Sequence, residues 1–374
     1  TPTPTPSPNQ PLPAPTSPPS MNITNYGCRT SFTYLNESEC RNNLQASMDM
    51  DAGYIGRVVN HWEWCGWQYM QPYLRNTNTQ QVIGSIDFRL TIVAWGSNAD
   101  SQLHFDIYVD EVMNPGGGMT AQNTTVSFAP LCEPHQASAS CTIPPSPGGT
   151  LASLNGAPPK HFDMPVNLPA YSDVNPDRLA TLDAGIEIIV TSTAAPGQIA
   201  KEHVGATVRC DGATAAGRGG FTTNACIFAG VQAKYSLDAS DAAITDVAQH
   251  VYWAINDPNS TTPPPAPGDT KSIPNKLNRL VDDSKINLNR NVATDACDRL
   301  LQNPRPDGKQ CDEYPFASSQ QGAATSPSTD YSVALIDGEQ NEREGGRRGA
   351  WYTADRYVDG DEFLVEALCS FCHR

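Results

Sequence analysis

The sequence predicts an α+β chain, with a β-rich, sandwich-like N-terminal domain followed by a smaller domain of mixed helix and strand. Three observations carry this. Short β-branched or alternating runs recur between turn residues through the first two thirds. One strongly periodic helix and a Pro-rich stretch then interrupt them. Beyond that break, helical and strand signals alternate. The chain has 374 residues, room for two or three domains, and its 39% hydrophobic and 17% charged content is globular rather than disordered.

Residues 1–20 are almost wholly Pro, Thr, Ser and other polar residues, and read as a polyproline-like stalk or linker with no core of its own. Residues 21–236 read as the β-rich domain. Within it, residues 85–95 alternate and then become continuously apolar, 103–109 alternate around Phe105, Ile107 and Val109, 186–190 are short and β-branched, and 203–209 lead into Cys210. The cluster His61-Trp62-Glu63-Trp64-Cys65-Gly66-Trp67 reads first as a core or sheet-edge aromatic cluster, with a carbohydrate platform as the alternative. Asn22, Asn36, Asn123 and Asn259 each open an N-glycosylation sequon, a short motif that suits a surface and shows little more.

Residues 237–269 read as a helix and a linker. In 241–256, Ala243, Val247, Val251 and Ala254 fall near one face, with Ser240 as candidate N-cap, and five prolines follow by residue 267. Residues 270–374 read as the second domain: a helix over 293–301 after Arg290-Asn291, a turn, the run Cys311-Asp312-Glu313-Tyr314-Pro315, a strand over 331–336, a helix over 347–357, an Asp359-Gly360 turn and a last strand over 362–365.

Eleven cysteines, many in near pairs, predict a disulfide framework in an oxidising compartment. The expected pairs are Cys28–Cys40, Cys132–Cys141, Cys210–Cys226 and Cys297–Cys311. Cys369 and Cys372 could form a redox pair or half of a zinc site; a structural disulfide between one of them and Cys65 is the preferred expectation. The odd count leaves one thiol over. No run reaches the roughly 18 apolar residues of a membrane span. The chain opens as a mature exported protein would after processing, so a secreted, extracellular location is expected. The formal charge is −16, and residues 271–374 hold 13 Lys+Arg against 17 Asp+Glu, which leaves −12 on residues 1–270. The acidic front part is therefore expected to touch no nucleic acid, whose phosphates are met by Lys and Arg.

Asp312-Glu313 is a pair of adjacent carboxylates at the end of an extended segment, held there by a following proline. Near a bend both could address one site, one holding a metal and the other taking a proton from water. Phosphodiester hydrolysis needs both functions. None of the seven histidines lies near the motif in sequence, so a carboxylate base fits.

The order Asp312-Glu313-Tyr314-Pro315, Gln320-Gln321-Gly322-Ala323, a strand, Asn341 in a polar turn, Asp359-Gly360 and a closing apolar strand resembles the NucA/NucB deoxyribonucleases over residues 275–368. With Cys210-Asp211, Leu277-Asn278-Arg279 and Lys309-Gln310-Cys311, the chain also resembles actinobacterial-type exported proteins that end in this domain. The resemblance implies a small ββα-metal-type nuclease core and a divalent metal ion, Mg or Mn, with DNA as substrate. It implies catalytic roles for Asp312, Glu313 and Asn341: Asp312 as base and Glu313 as metal ligand, or the two exchanged, with Asn341 at the metal. Two departures stand out: Gln320 and Gln321 replace acidic residues of the family, and the segment 342–346 is longer than usual.

Arg343, Arg347, Arg348 and Arg356 are the candidate DNA contacts, with Arg348 and Arg356 expected on one side of a helix. Surface pairing with nearby acids is the alternative. The expected function is a secreted, metal-dependent endonuclease with little sequence preference. The alternatives are a non-catalytic surface-binding protein carrying a relic nuclease domain, and a glycan-binding module resting on Trp62, Trp64 and Trp67.

Overall fold

The computed structural model describes residues 36–43, 50–51, 54–213, 218–230, 234–326 and 329–372. The stalk 1–20, Asn22 and Cys28 lie outside them. In chain order the elements used below are α1 (Glu37–Asn43), β1 (Arg57–Asn60), β2 (Glu63–Met70), β3 (Asp87–Gly96), β4 (Gln102–Met113), β5 (Thr124–Pro134), β6 (Ser140–Cys141), β7 (Gly148–Thr150), β8 (Lys160–Asn167), β9 (Ala180–Ser192), β10 (Ala195–Asp211) and β11 (Ala225–Phe228). The second group is β12 (Lys234–Asp238), α2 (Thr245–Asn256), β13 (Lys276–Asn278), α3 (Asp283–Leu300), β14 (Lys309–Tyr314), β15 (Ser332–Asp337), α4 (Gly338–Ala354) and β16 (Glu362–Leu368).

Two antiparallel sheets, ordered β6-β8-β4-β3-β2-β1 and β7-β5-β9-β10-β11, share one apolar core. Alternation builds it. Leu103, Phe105, Ile107 and Val109 point inward from β4, and Leu182, Ala184, Ile186, Ile188 and Val190 from β9. The apolar run in β3 is continuous because its outer face is covered too. Helix α1 lies there, Val93 joins Cys40 and Cys65 in a second cluster, and Arg41 Nε donates to Thr91 Oγ1 at 2.8 Å.

That helix corrects the expected cysteine pairing. Cys40 bonds Cys65, with Cα atoms 5.9 Å apart, because α1 sits over the strand that carries Cys65; it does not bond Cys28. Cys65 is thereby taken, and Cys369 bonds Cys372 within its own turn rather than reaching for it. Cys132–Cys141, Cys210–Cys226 and Cys297–Cys311 join near neighbours. Trp62 and Trp64 are 2% exposed, so they are core residues and present no platform to a glycan.

The second core gathers Leu237 of β12, Val247, Ala248, Val251 and Ala254 of α2, Tyr314 and Phe316, Tyr352 of α4, and Phe363 and Val365 of β16. Its sheet runs β12-β16-β13, with β12 parallel to β16. The helix α2 is not capped by Ser240. Asp241 makes the preceding turn, accepting from Ala243 N and Ile244 N, so the helix starts at Thr245. The Pro-rich stretch is tied to this unit: Val333 N donates to Thr262 O, and buried Lys271 donates through Nζ to Thr261 Oγ1 and Pro263 O, both at 2.8 Å.

Two helices are longer than expected. Asp282 caps α3 through the Ser284 and Lys285 amides, so Arg290 and Asn291 lie inside it. Asp337 caps α4 through Gln340 N, and buried Glu344 and Tyr352 hold the helix through Gly345-Gly346, which alone would break it. Buried polar contacts join the two units. Arg356 makes a paired contact with Asp211 (3.1 and 2.6 Å), Arg209 meets Asp361 at 2.7 Å, and Trp62 Nε1 donates to Ala354 O.

Candidate functional site

Strands β14 and β15 form a regular antiparallel ladder, with Asp312 opposite Ala334 and Glu313 opposite Val333. No bulge interrupts it, so the two carboxylates leave the strand on opposite faces. The expected bend lies later, at Pro315, and does not turn them toward one another. Gln310 shares the Asp312 face, and Cys311 shares that of Glu313, where its disulfide to Cys297 fastens the strand to α3.

On the first face Asp312 is 5% exposed and accepts from His250 Nδ1 at 2.6 Å. Its other ring nitrogen, Nε2, hydrogen-bonds the Ser332 hydroxyl at 2.8 Å. The imidazole is thus held at both ends between α2 and the hairpin. Asn341 lies in the first turn of α4 and is not its cap. Its amide nitrogen donates to Gln310 Oε1 at 3.0 Å, and Gln310 Nε2 donates to Glu342 at 2.7 Å. One turn further along, Glu344 is fully buried, accepts from Tyr235 Oη at 3.0 Å and faces Arg348 Nη1 at 3.2 Å. Burial pushes the Glu344 carboxyl up, against the pull of Arg348. The Arg348 guanidinium also lies 3.8 Å over the Phe316 ring.

On the second face Glu313 is half-buried. Burial, and then the neighbouring Asp312 charge, push its carboxyl up to about 7; Arg348, Arg290 and the Ala317 amide pull the other way. The loop after Pro315 is pinned by Asn289 of α3, which donates to Ala317 O and accepts from Ala324 N. Gly322 is required there, since a Cβ would meet Asn289 Nδ2 at 2.2 Å. Gln321, where an acidic residue was expected, holds Asn278 by two hydrogen bonds, a structural task an amide performs and a carboxylate cannot.

The buried Asp312 and half-buried Glu313, a third, buried carboxylate on the helix that follows, and two nearby arginines occupy one stretch of chain. The family model for deoxyribonuclease NucA/NucB matches residues 276–366. That stretch, the NucA/NucB region, is what the family model covers, and the rest of the chain lies outside it. No curated protein and no solved structure matches the chain.

The NucA/NucB region contains every residue singled out for chemistry, but not all that surround it. His250 and Tyr235 precede the match and reach Asp312 and Glu344 across 62 and 109 residues. Their signals were slight: His250 is a polar residue on the apolar face of α2, and Glu344 follows Asn341 by one helical turn only once α4 is seen to begin at Gly338.

The candidate DNA contacts separate. Arg343 is exposed and lies 3.8 Å from Glu339, and Arg347 pairs with Asp241 at 2.6 Å. Arg348 is mostly buried among Glu344 and Phe316. Arg356 does not share a helical face with it. The helix ends at Ala354, Arg356 takes φ 56°, and its guanidinium is 1% exposed and committed to Asp211, which removes it from any phosphate.

Proposed function

We propose that this chain is a secreted, divalent-metal-dependent endonuclease that hydrolyses DNA phosphodiester bonds with little sequence preference. The observation that carries the proposal is Glu313, a half-buried carboxylate inside the NucA/NucB region whose proton affinity lies near neutral pH. A general base works best with a pKa near the working pH. Asp312 is the poorer acceptor, since His250 already donates to it. The geometry therefore favours the exchanged roles: Glu313 takes the proton of the attacking water, and Asp312 keeps Glu313 basic by its charge.

The donor set suits a hard cation. On the Asp312 face it would be held by the Asp312 carboxylate together with Asn341, whose nitrogen is engaged by Gln310 and whose Oδ1 is on offer. Burial raises Glu313 most and the Asp312 charge second, so a divalent ion such as Mg2+ or Mn2+ held at Asp312 would relieve only the smaller cause. When bound, such an ion supplies positive charge to the phosphate undergoing attack. Arg290 and Arg348 both pull on Glu313; the exposed Arg290 would meet the same phosphate, and Arg343 and Arg347 on exposed α4 the flanking ones. The sequence β14, β15, α4 supports a ββα-metal core, and the five disulfides support an oxidising, extracellular location.

The test is nicking of supercoiled plasmid with Mg2+ or Mn2+, with and without EDTA, by the parent chain, Glu313→Gln and Asp312→Asn. Loss of cleavage in EDTA and a drop of at least about a hundredfold in each variant are expected. Absence of cleavage by the parent chain under all these conditions, or variants as active as the parent, would overturn the proposal and leave a binding role for a relic domain.

A further inference from the structure

The tripeptide His-Phe-Asp occurs twice, as His104-Phe105-Asp106 in β4 and His161-Phe162-Asp163 in β8. These strands are antiparallel neighbours in a register that sets His104 opposite Asp163, Phe105 opposite Phe162 and Asp106 opposite His161. The two-residue period sends both phenylalanines into the core, where their rings stack 4.7 Å apart. The same period brings all four polar side chains together on the outer face. Asp163 Oδ1 receives His104 Nδ1 at 2.6 Å and His161 Nε2 at 2.9 Å. Both imidazoles therefore aim a nitrogen at one carboxylate oxygen, and one ligand atom from each of the three residues lies within 4.8 Å of the others. Among the described residues this is the group of His, Cys, Asp and Glu side chains that converges closely enough to share an ion.

We propose that His104, His161 and Asp163 form a transition-metal site on the sandwich, with Zn2+ as the ion their chemistry suits, and that Asp106 is its orienting outer carboxylate. Two imidazole nitrogens with one carboxylate oxygen are a zinc ligand set, unlike the all-oxygen set of the NucA/NucB region. Asp106 Oδ1 accepts from His161 Nδ1 at 2.7 Å. That contact holds the proton on Nδ1 and turns the Nε2 lone pair toward the site, as carboxylates behind metal-bound histidines do. Trp95, the partner of His104 across β3, stacks on it at 5.3 Å with an interplanar angle of 17° and restrains the ring. Three ligands on adjacent strands brace β4 against β8 and leave a fourth position open to solvent, so a water or a donor from another molecule can complete the shell. This site stands independently of the nuclease proposal.

The test is calorimetric titration of the full chain with Zn2+ in the presence of excess Mg2+, with Co2+ absorption as a second readout of nitrogen ligation. One Zn2+ per chain is expected. His104→Ala with His161→Ala should abolish it. Asp163→Asn, which keeps the shape of the side chain, should abolish it as well. Asp106→Asn should weaken it roughly 10- to 100-fold without changing the stoichiometry. Glu313→Gln should leave it unchanged. No stoichiometric Zn2+ binding by the parent chain overturns the proposal, as does binding that survives in both ligand variants or that is lost in Glu313→Gln.

Discussion

His104–Asp163 in the sandwich and His250–Asp312 in the C-terminal unit are the same contact, 2.6 Å long, in two different surroundings. The first pair has side chains 22% and 47% exposed, the second 6% and 7%. In the open pair, water and salt screen the charges, and the groups stay available to anything that arrives from solution. In the closed pair, the imidazole fixes Asp312 in place, and the carboxylate charge that remains acts on Glu313 through a medium that screens it poorly. Strands β4 and β8 turn their histidines and acids to the outer face of the sandwich, whereas the C-terminal unit buries Asp312, Glu344 and Arg356. Burying such groups is costly unless they are paired, and here His250, Arg348 and Asp211 are the partners.

The largest effect should come from removing the half-buried charge of Glu313. Glu313→Gln should lower the cleavage rate at least about a hundredfold, and the parent rate should fall as pH drops below about 7, where Glu313 takes up a proton. The same variant should be more stable than the parent at pH 8. A carboxyl whose folded pKa is raised contributes stability fully below its unfolded pKa, roughly 4.3, and loses that contribution as pH rises through about 7. Melting curves at pH 4 and pH 8 check this. A stability gain of equal size at both would mean that charge burial is not the cause.

Next in size is the junction between the units. Asp211→Ala leaves the Arg356 guanidinium buried without its partner, and breaking such a pair costs about 3–5 kcal/mol. Denaturant unfolding reads it, and a change below about 1 kcal/mol would show that water reaches Arg356. Loss of the Cys297–Cys311 bond, by changing both to Ser, should cost about 2–4 kcal/mol. It should also slow cleavage, because it frees the strand that carries Asp312 and Glu313.

The smallest stability effects belong to the exposed face. His135→Ala removes an open contact to Asp183 at 3.1 Å and should shift stability by no more than about 1 kcal/mol. Arg347→Ala breaks a surface pair with Asp241 and should be equally mild in unfolding. In DNA binding, measured in a Glu313→Gln background, it should flatten the slope of log affinity against log salt by about one unit. An unchanged slope would place the DNA elsewhere than along α4.

Much of this was legible in the chain. The alternation in β3 and β4, the apolar face of α2 and the disulfide spacing at Cys297–Cys311 are local patterns, and local patterns survive folding. The element bounds of α3 and α4 were not legible, because Gly345-Gly346 signals a break that buried Glu344 and Tyr352 overrule. Cys40 was assigned to the wrong partner because the helix that carries it packs over a strand, a contact that sequence distance does not reveal.

By itself, the sequence determined the strand periodicity, the export-type cysteine content, the adjacent Asp312-Glu313 pair and its place in a NucA/NucB region, because each depends on neighbours along the chain. Only the tertiary structure decided that those carboxylates face opposite ways, that His250 stands behind Asp312, that Arg356 is locked to Asp211, and that two His-Phe-Asp tripeptides meet on one sheet face. Charge effects fall off with distance in space and grow with burial, and neither quantity is a function of position in sequence.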